Sequence, residues 1–250
     1  MNLNWIDTTP MDTEMEIQLP VRYKSGCKCI DELLGGGFES GTVTQLYGEA
    51  GSGKTNICLQ TAIECARMGK TVIFIDSEGF SPERFIQIAR SVSDERDIES
   101  IARRIIIYEP QSFEQQTACI KEVEGVIEEK KNVALVILDS ATLFYRLELD
   151  EERSMYLRRV LANQIEQLLM LARRYDLAVI ITNQVYSDIE EGKGKLRPSG
   201  GYALEHLSKV IVQLEKSPQG GGKRRATIKK HRSMPEDITC EFFITGGGVE

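Results

Sequence analysis

Two histidines, and no C-x-x-C pair among six cysteines, leave this chain little from which to build a zinc site. No apolar run approaches the roughly 20 residues that span a bilayer, so no membrane partner is expected. The first residues, MNLNWIDTTPMDTEMEIQLP, are acidic and lack the basic and apolar leader of a secretory signal. The cysteines (Cys27, Cys29, Cys58, Cys65, Cys119 and Cys240) read as free thiols of a reducing cytoplasm, with Cys58 and Cys65 as small hydrophobes in a helix. Aromatics are scarce at 7%, and the net charge of −7 argues against a globally basic DNA coat while leaving room for a local basic patch. At 250 residues, 41% hydrophobic and 28% charged, the chain can bury a full core.

What is present centres on Gln45–Thr55, QLYGEAGSGKT. It contains Gly48-x-x-x-x-Gly53-Lys54-Thr55, a phosphate-binding pattern between a predicted strand, Val43–Tyr47, and a predicted helix, Asn56–Arg67. The loop Gly48, Glu49, Ala50, Gly51, Ser52, Gly53 folds backbone N–H groups into a nest for anionic oxygens, and the following helix turns its positive end toward them. Lys54 is expected at the β/γ-phosphates of ATP and Thr55 on Mg²⁺.

Apolar runs of strand length recur at Thr71–Asp76, Arg104–Tyr108, Val133–Asp139 and Ala178–Thr182. Between them lie a helix opened by Ser81-Pro82, one opened by a Ser112/Gln115 capping box, and a long one over Glu151–Tyr175. Earlier in the chain, Ile30, Leu33 and Leu34 share one side of a short helix that Gly35–Gly37 stop. This alternation predicts an α/β fold whose mainly parallel sheet carries helices on both faces. Strands at Lys209–Leu214, Arg225–Lys230 and Glu241–Thr245 lack intervening helices and predict an antiparallel C-terminal extension. Residues 1–20 read as an N-terminal arm and 21–250 as a single domain.

Three strand tips carry chemistry. Asp139 ends VALVILD, where a carboxylate can hold the Mg²⁺ shell. Glu78, just past Asp76, is placed to polarise an attacking water. Gln184 follows the fourth strand and can sense a γ-phosphate and move the next loop. That loop, Tyr186–Tyr202, is long, polar and glycine-rich, and holds Lys193, Lys195 and Arg197. A second basic group comprises Lys223, Arg224, Arg225, Lys229, Lys230 and Arg232. In an otherwise acidic chain both groups are candidate DNA-backbone contacts, with Tyr186 and Tyr202 the nearby aromatics for stacking.

The motifs GEAGSGKT at 48–55, IDSEGFSPERF at 75–85, VILDSATLFYR at 136–146 and ITNQV at 181–185 together resemble the core of a RecA-family recombinase. The likeness runs from about Ser25 to the C-terminus and points to the archaeal and eukaryotic branch, within it to a short archaeal paralogue. It implies a RecA-like P-loop ATPase core, with Lys54, Glu78 and Gln184 catalytic, Thr55 and Asp139 on Mg²⁺, and the loop after Gln184 on DNA. Departures are equally legible. The family's Phe-x-x-Ala segment has no match in residues 1–30, and its first DNA loop is replaced by acidic Leu147–Arg153 (LELDEER). Where family recombinases place an aspartate before S-P-x-x-P-E, over the neighbour's ATP, this chain reads Lys230-His231-Arg232-Ser233-Met234-Pro235-Glu236. Retained motifs and missing ones together imply a cytoplasmic helper in DNA recombination, repair and the DNA-damage response. It would hydrolyse ATP weakly, bind single-stranded or branched DNA, and assist the main archaeal recombinase RadA, with a Holliday-junction resolvase as a further partner. A filament-forming strand-exchange recombinase and a KaiC-like regulatory ATPase are the alternatives, and the oligomeric state is left open, a homodimer included.

Overall fold

The computed structural model describes residues 19–187 and 196–250. The expected N-terminal arm, apart from its last two residues, lies outside the described residues, as do Lys193 and Lys195.

The chain enters through β1 (Arg22–Tyr23), helix α1 (Lys28–Leu33) and β2 (Phe38–Glu39), which pairs antiparallel with β1. Glycines 35–37 end α1 with positive φ, as their spacing predicts. Gly37 cannot be exchanged freely, because a Cβ there would sit 2.5 Å from the Tyr23 carbonyl oxygen. Then come β3 (Val43–Gly48), α2 (Lys54–Arg67) and β4 (Thr71–Asp76). Next are α3 (Pro82–Val92), α4 (Glu95–Ala102), β5 (Ile105–Tyr108), α5 (Phe113–Lys130) and β6 (Val133–Asp139). The middle of the chain continues with α6 (Leu143–Leu147), α7 (Ser154–Tyr175), β7 (Ala178–Asn183), β8 (Val185–Ser187), β9 (Leu196–Pro198) and α8 (Tyr202–Leu207). It ends in β10 (Val210–Lys216), β11 (Lys223–Lys230), β12 (Thr239–Thr245) and β13 (Gly248–Val249).

Local signals account for most of these bounds. Ser81 caps α3 by accepting the Arg84 N–H at 3.2 Å, and Ser112 caps α5 by accepting that of Gln115 at 3.1 Å. The Gln115 side chain reaches back as a capping box requires, but accepts from the Gln111 N–H at 2.7 Å. Helices α4 and α6 are not anticipated by the sequence reading. Each is short and takes its place from packing on other helices, α4 on α2 and α3 and α6 on α7.

Nine strands form one sheet in the order β13-β12-β11-β10-β3-β7-β6-β4-β5. From β10 to β5 every pairing is parallel, and β11, β12 and β13 add on antiparallel as expected. The strand at Lys209–Leu214, expected in that extension, instead joins the parallel sheet as β10 beside β3, because α8 carries the chain back to enter it in the direction of β3. The strand period of two sorts each central strand between two cores. Val72, Phe74, Leu135, Ile137 and Ile180 face a cluster with α1–α4. Ile73, Ile75, Val136, Leu138 and Ile181 face a cluster with α5, α7 and α8. Burying each such side chain contributes about 1.5–3 kcal/mol against a marginal total. The carboxyl ends of β3, β7, β6 and β4 therefore lie side by side, and an open α/β sheet binds ligands at that edge.

Candidate functional site: a phosphate loop and its carboxylates

The loop between β3 and α2 takes the conformation its glycines allow. Gly51 has φ 74° and Gly53 φ 108°, the latter at the helix N-cap. Gly48 is needed for a different reason. A Cβ there would lie 2.1 Å from the Leu214 carbonyl oxygen on the paired strand β10 and 2.8 Å from Ser52 Oγ. Gly48→Ala must therefore part β3 from β10, and is expected to lower stability by about 3 kcal/mol. Urea unfolding checks this; an unchanged midpoint would contradict the close approach.

Lys54 is buried at 6% exposure and donates from Nζ to the carbonyls of Gly48 at 2.8 Å and Glu49 at 3.0 Å. Burial pulls its pKa down, and Glu78 and Asp139 partly restore it. The cation is thus already desolvated and aimed across the loop. Arg224 of β11 donates to the Gly51 carbonyl at 2.9 Å, and Lys216 stands 3.9 Å from the Glu49 carboxylate. The C-terminal extension braces the loop from outside.

Asp139 is 1% exposed. Thr182 of neighbouring β7 donates its hydroxyl to Oδ1, whereas Oδ2 is buried with no protein partner. Burial pushes its pKa up to about 6, with the Thr182 and Thr55 hydroxyls holding it down against that push. Ser52 Oγ, inside the loop, is likewise buried and unpartnered. An orphaned carboxylate oxygen beside a threonine hydroxyl is the hard, oxygen-only donor set that suits Mg²⁺, so the residues fit the group.

On the other side of Asp139, register pairs it with Asp76 of β4. Asp76 Oδ1 accepts the N–H groups of Glu78 at 2.8 Å and Gly79 at 2.9 Å, a turn that fixes where Glu78 points. Glu78 Oε1 accepts from Gln184 Nε2 at 2.8 Å, and Arg146 donates in turn to Gln184 Oε1. The structure thus joins Glu78, Gln184 and Arg146 in one array, with Asp139 beside it on the intervening strand β6. Asp76, Thr182 and Arg146 were missed by the sequence reading. Each nonetheless lies inside a motif already singled out: Asp76 in IDSEGFSPERF, Thr182 in ITNQV and Arg146 in VILDSATLFYR.

Gln184 also roots the next segment. Its carbonyl accepts the Ser199 N–H at 3.1 Å, and the Asn183 amide donates to the Ser199 carbonyl at 2.7 Å. Where the sequence suggests loop, β8 and β9 form a two-stranded ribbon, with Arg197 opposite Tyr186.

The terminal basic run does not form one patch. Lys223 and Arg225 pair with Glu241 at 2.8 and 3.7 Å, while Arg224 meets the phosphate loop. Lys229, Lys230 and Arg232 lie at the far end of β11. Lys229 pairs with Asp237 at 2.7 Å and Arg232 with Glu39 at 2.9 Å. Lys230 Nζ donates to the Glu205 and Ser208 carbonyls at 2.6 and 2.9 Å, closing the end of α8. Every one of the six has an internal partner. Among the described residues no cluster of His, Cys, Asp and Glu is arranged to hold a metal by itself, and no helix is long and apolar enough to cross a membrane.

A parallel sheet with a glycine-built phosphate loop, an acidic tip on the next strand but one, and an antiparallel extension defines a RecA-like core. Residues 18–250 match the Rad51 family model, and the chain belongs to that family. Within it, the likeness is to RadB proteins. The chain is 58% identical over 226 residues to the DNA repair and recombination protein RadB of Methanococcoides burtonii, covering 90% of this chain and 96% of the relative. It is 47% identical to that of Archaeoglobus fulgidus, over 90% of this chain and 96% of the relative. The solved crystal structure of the RadB recombinase superposes with a TM-score of 0.75 at 35% identity, covering 91% of this chain and 98% of that one.

Proposed function

We propose that the chain is an ATP- and DNA-binding accessory protein of recombination and repair, with weak Mg²⁺-dependent ATPase activity, acting beside the archaeal recombinase RadA. A Holliday-junction resolvase is the further partner that the family resemblance implies. The observation that carries this reading is the array Glu78–Gln184–Arg146, because it links the hydrolytic carboxylate to the root of the ribbon that carries Arg197.

Lys54 binds β/γ-phosphate oxygens by giving up its two backbone carbonyls. Thr55 and Asp139 hold Mg²⁺, which when bound neutralises charge on the phosphate oxygens. Glu78 takes the proton from the attacking water, and Gln184 orients Glu78 while sensing whether the terminal phosphate is present. A change at Gln184 is passed by Asn183 and Ser199 to the ribbon. The helper role, as opposed to a strand-exchange motor, rests on what replaces the first DNA loop: Leu147–Arg153 carries four carboxylates and exposed Leu147 and Leu149.

The deciding measurement is ATP turnover with and without single-stranded DNA, beside a binding titration at low salt. Slow turnover with DNA binding supports the helper; regular filaments on single-stranded DNA by electron microscopy would replace it with the recombinase reading. No DNA affinity at low salt, with or without ATP, would remove both.

The salt dependence locates the contact. Because Lys229, Lys230 and Arg232 are committed within the fold, replacing them should leave the salt slope of binding unchanged. Replacing Lys193, Lys195 and Arg197 should flatten it by about 2 on single-stranded DNA. The opposite pattern would move the contact to the far end of β11.

A further inference from the structure

The first helix and a strand near the end of the chain bring two thiols together. Cys29 of α1 places Sγ 3.0 Å from Cys240 Sγ of β12, across 211 residues of sequence. A disulfide bond is about 2.0 Å long, so the sulfurs need to close by only about 1 Å. Both thiols are free and partly accessible, while Cys27, 3.8 Å from Cys29, is 2% exposed. A Cys27–Cys29 link would also have to close a small ring across Lys28, at the start of α1.

The hydrogen bond between the pair has a direction. The Cys29 S–H has two acceptors in reach, Cys240 Sγ at 3.0 Å and the Glu241 carbonyl at 3.3 Å. The first eases ionisation of Cys240 and opposes that of Cys29, while burial pushes both thiols up. Cys240 is therefore the sulfur that attacks first. No step here depends on the nucleotide.

We propose that Cys29 and Cys240 are a modification site: an intramolecular disulfide, made by exchange with a low-molecular-weight disulfide, that staples α1 to β12. The Cys240 thiolate attacks one sulfur of the small disulfide, forming a mixed disulfide and releasing one small thiol. Cys29 then loses its proton and attacks the Cys240 sulfur, releasing the second small thiol. Two protein thiols are oxidised and one small disulfide is reduced, with both protons going to the released thiols.

The staple has structural reach. Along β12, Cys240, Phe242 and Ile244 share one face by the period of two. A Cβ on Gly53 would meet Ile244 Cδ1 at 3.1 Å and Phe242 Cε2 at 3.3 Å, so the stapled strand is the one that backs the phosphate loop.

The test uses the full chain incubated with oxidised glutathione, followed by intact mass, alkylation and peptide mapping. The expected product has lost two hydrogens, yields one peptide pair joined through Cys29 and Cys240, and reverts with dithiothreitol. Its unfolding temperature should rise by about 10 °C, as closure of so long a loop predicts. Cys27→Ser should behave as the parent, and Cys29→Ser should stop at a glutathione adduct on Cys240. Recovery of Cys29 and Cys240 from the oxidised parent as separate adducts, as alkylated thiols, or in a Cys27–Cys29 link would overturn the proposal. That mapping needs no variant, so it decides even if a serine substitution fails to fold.

Discussion

Replacing Glu78 with glutamine is expected to slow ATP turnover by about 10²–10⁴-fold, the range for loss of a positioned general base. Nucleotide binding should stay within a few-fold of the parent. The separation follows from how Glu78 is held. Its position is set by backbone N–H groups turned onto Asp76, which glutamine leaves intact. A glutamine side chain can still accept the Gln184 hydrogen bond, so geometry survives while the proton acceptor is lost. Arg146→Ala makes the contrast. Arg146 touches Gln184 and not Glu78, so its loss should alter the response of turnover to DNA more than the basal rate. Steady-state hydrolysis and fluorescent-nucleotide titrations measure both. A Glu78→Gln protein hydrolysing at the parental rate would take Glu78 out of the reaction.

Asp139→Asn is expected to do two opposed things: remove most Mg²⁺-dependent hydrolysis and stabilise the nucleotide-free fold. The second effect follows from the sign of the shift. Asp139 has a pKa of about 6 in the fold against an ordinary value of 3.8, because burial penalises its charge. The folded state therefore binds its proton more tightly, and stability is full below about pH 4 and falls as pH rises through 6. Above that, the ionised carboxylate carries a burial cost that asparagine avoids. Thr182 keeps an oxygen to donate to in the variant. Urea unfolding near pH 4 and near pH 8 should show an advantage for Asp139→Asn only at the higher pH. If the variant were the less stable protein at neutral pH, the buried charge would not be the cost described. A cation held by Asp139 would offset that cost, so a site that destabilises the empty fold would favour the bound one.

Much of the frame was legible because its causes are local. Val133–Asp139 reads as a strand from seven residues, and the strand is those seven residues. Ser81 and Ser112 cap the helices they were expected to cap. Helices α4 and α6 escaped, as did the ribbon of β8 and β9, since short elements take their stability from packing and not from their own residues. Around the phosphate loop, the residue types could be named in advance, but the array through Gln184 could not. Two of its members, Glu78 and Gln184, are 106 residues apart, and meet because β4 and β7 flank β6 in the sheet. The basic run shows the reverse case. Adjacent in sequence, its residues are divided between the two ends of β11, since a strand advances about 3.3 Å per residue and carries its ends apart.

The sequence by itself determined a phosphate loop, the alternation of the longer strands and helices, and the carboxylates and amide at the strand tips. Those depend on backbone freedom at glycine, on the period of two or of 3.6, and on caps within four residues. Only the tertiary structure decided which side chains share a site: Arg146 with Gln184, Thr182 with Asp139, Arg224 with Gly51, Cys29 with Cys240. Such pairs follow from strand order and helix packing, which are properties of the whole core and are written in no single stretch of the chain.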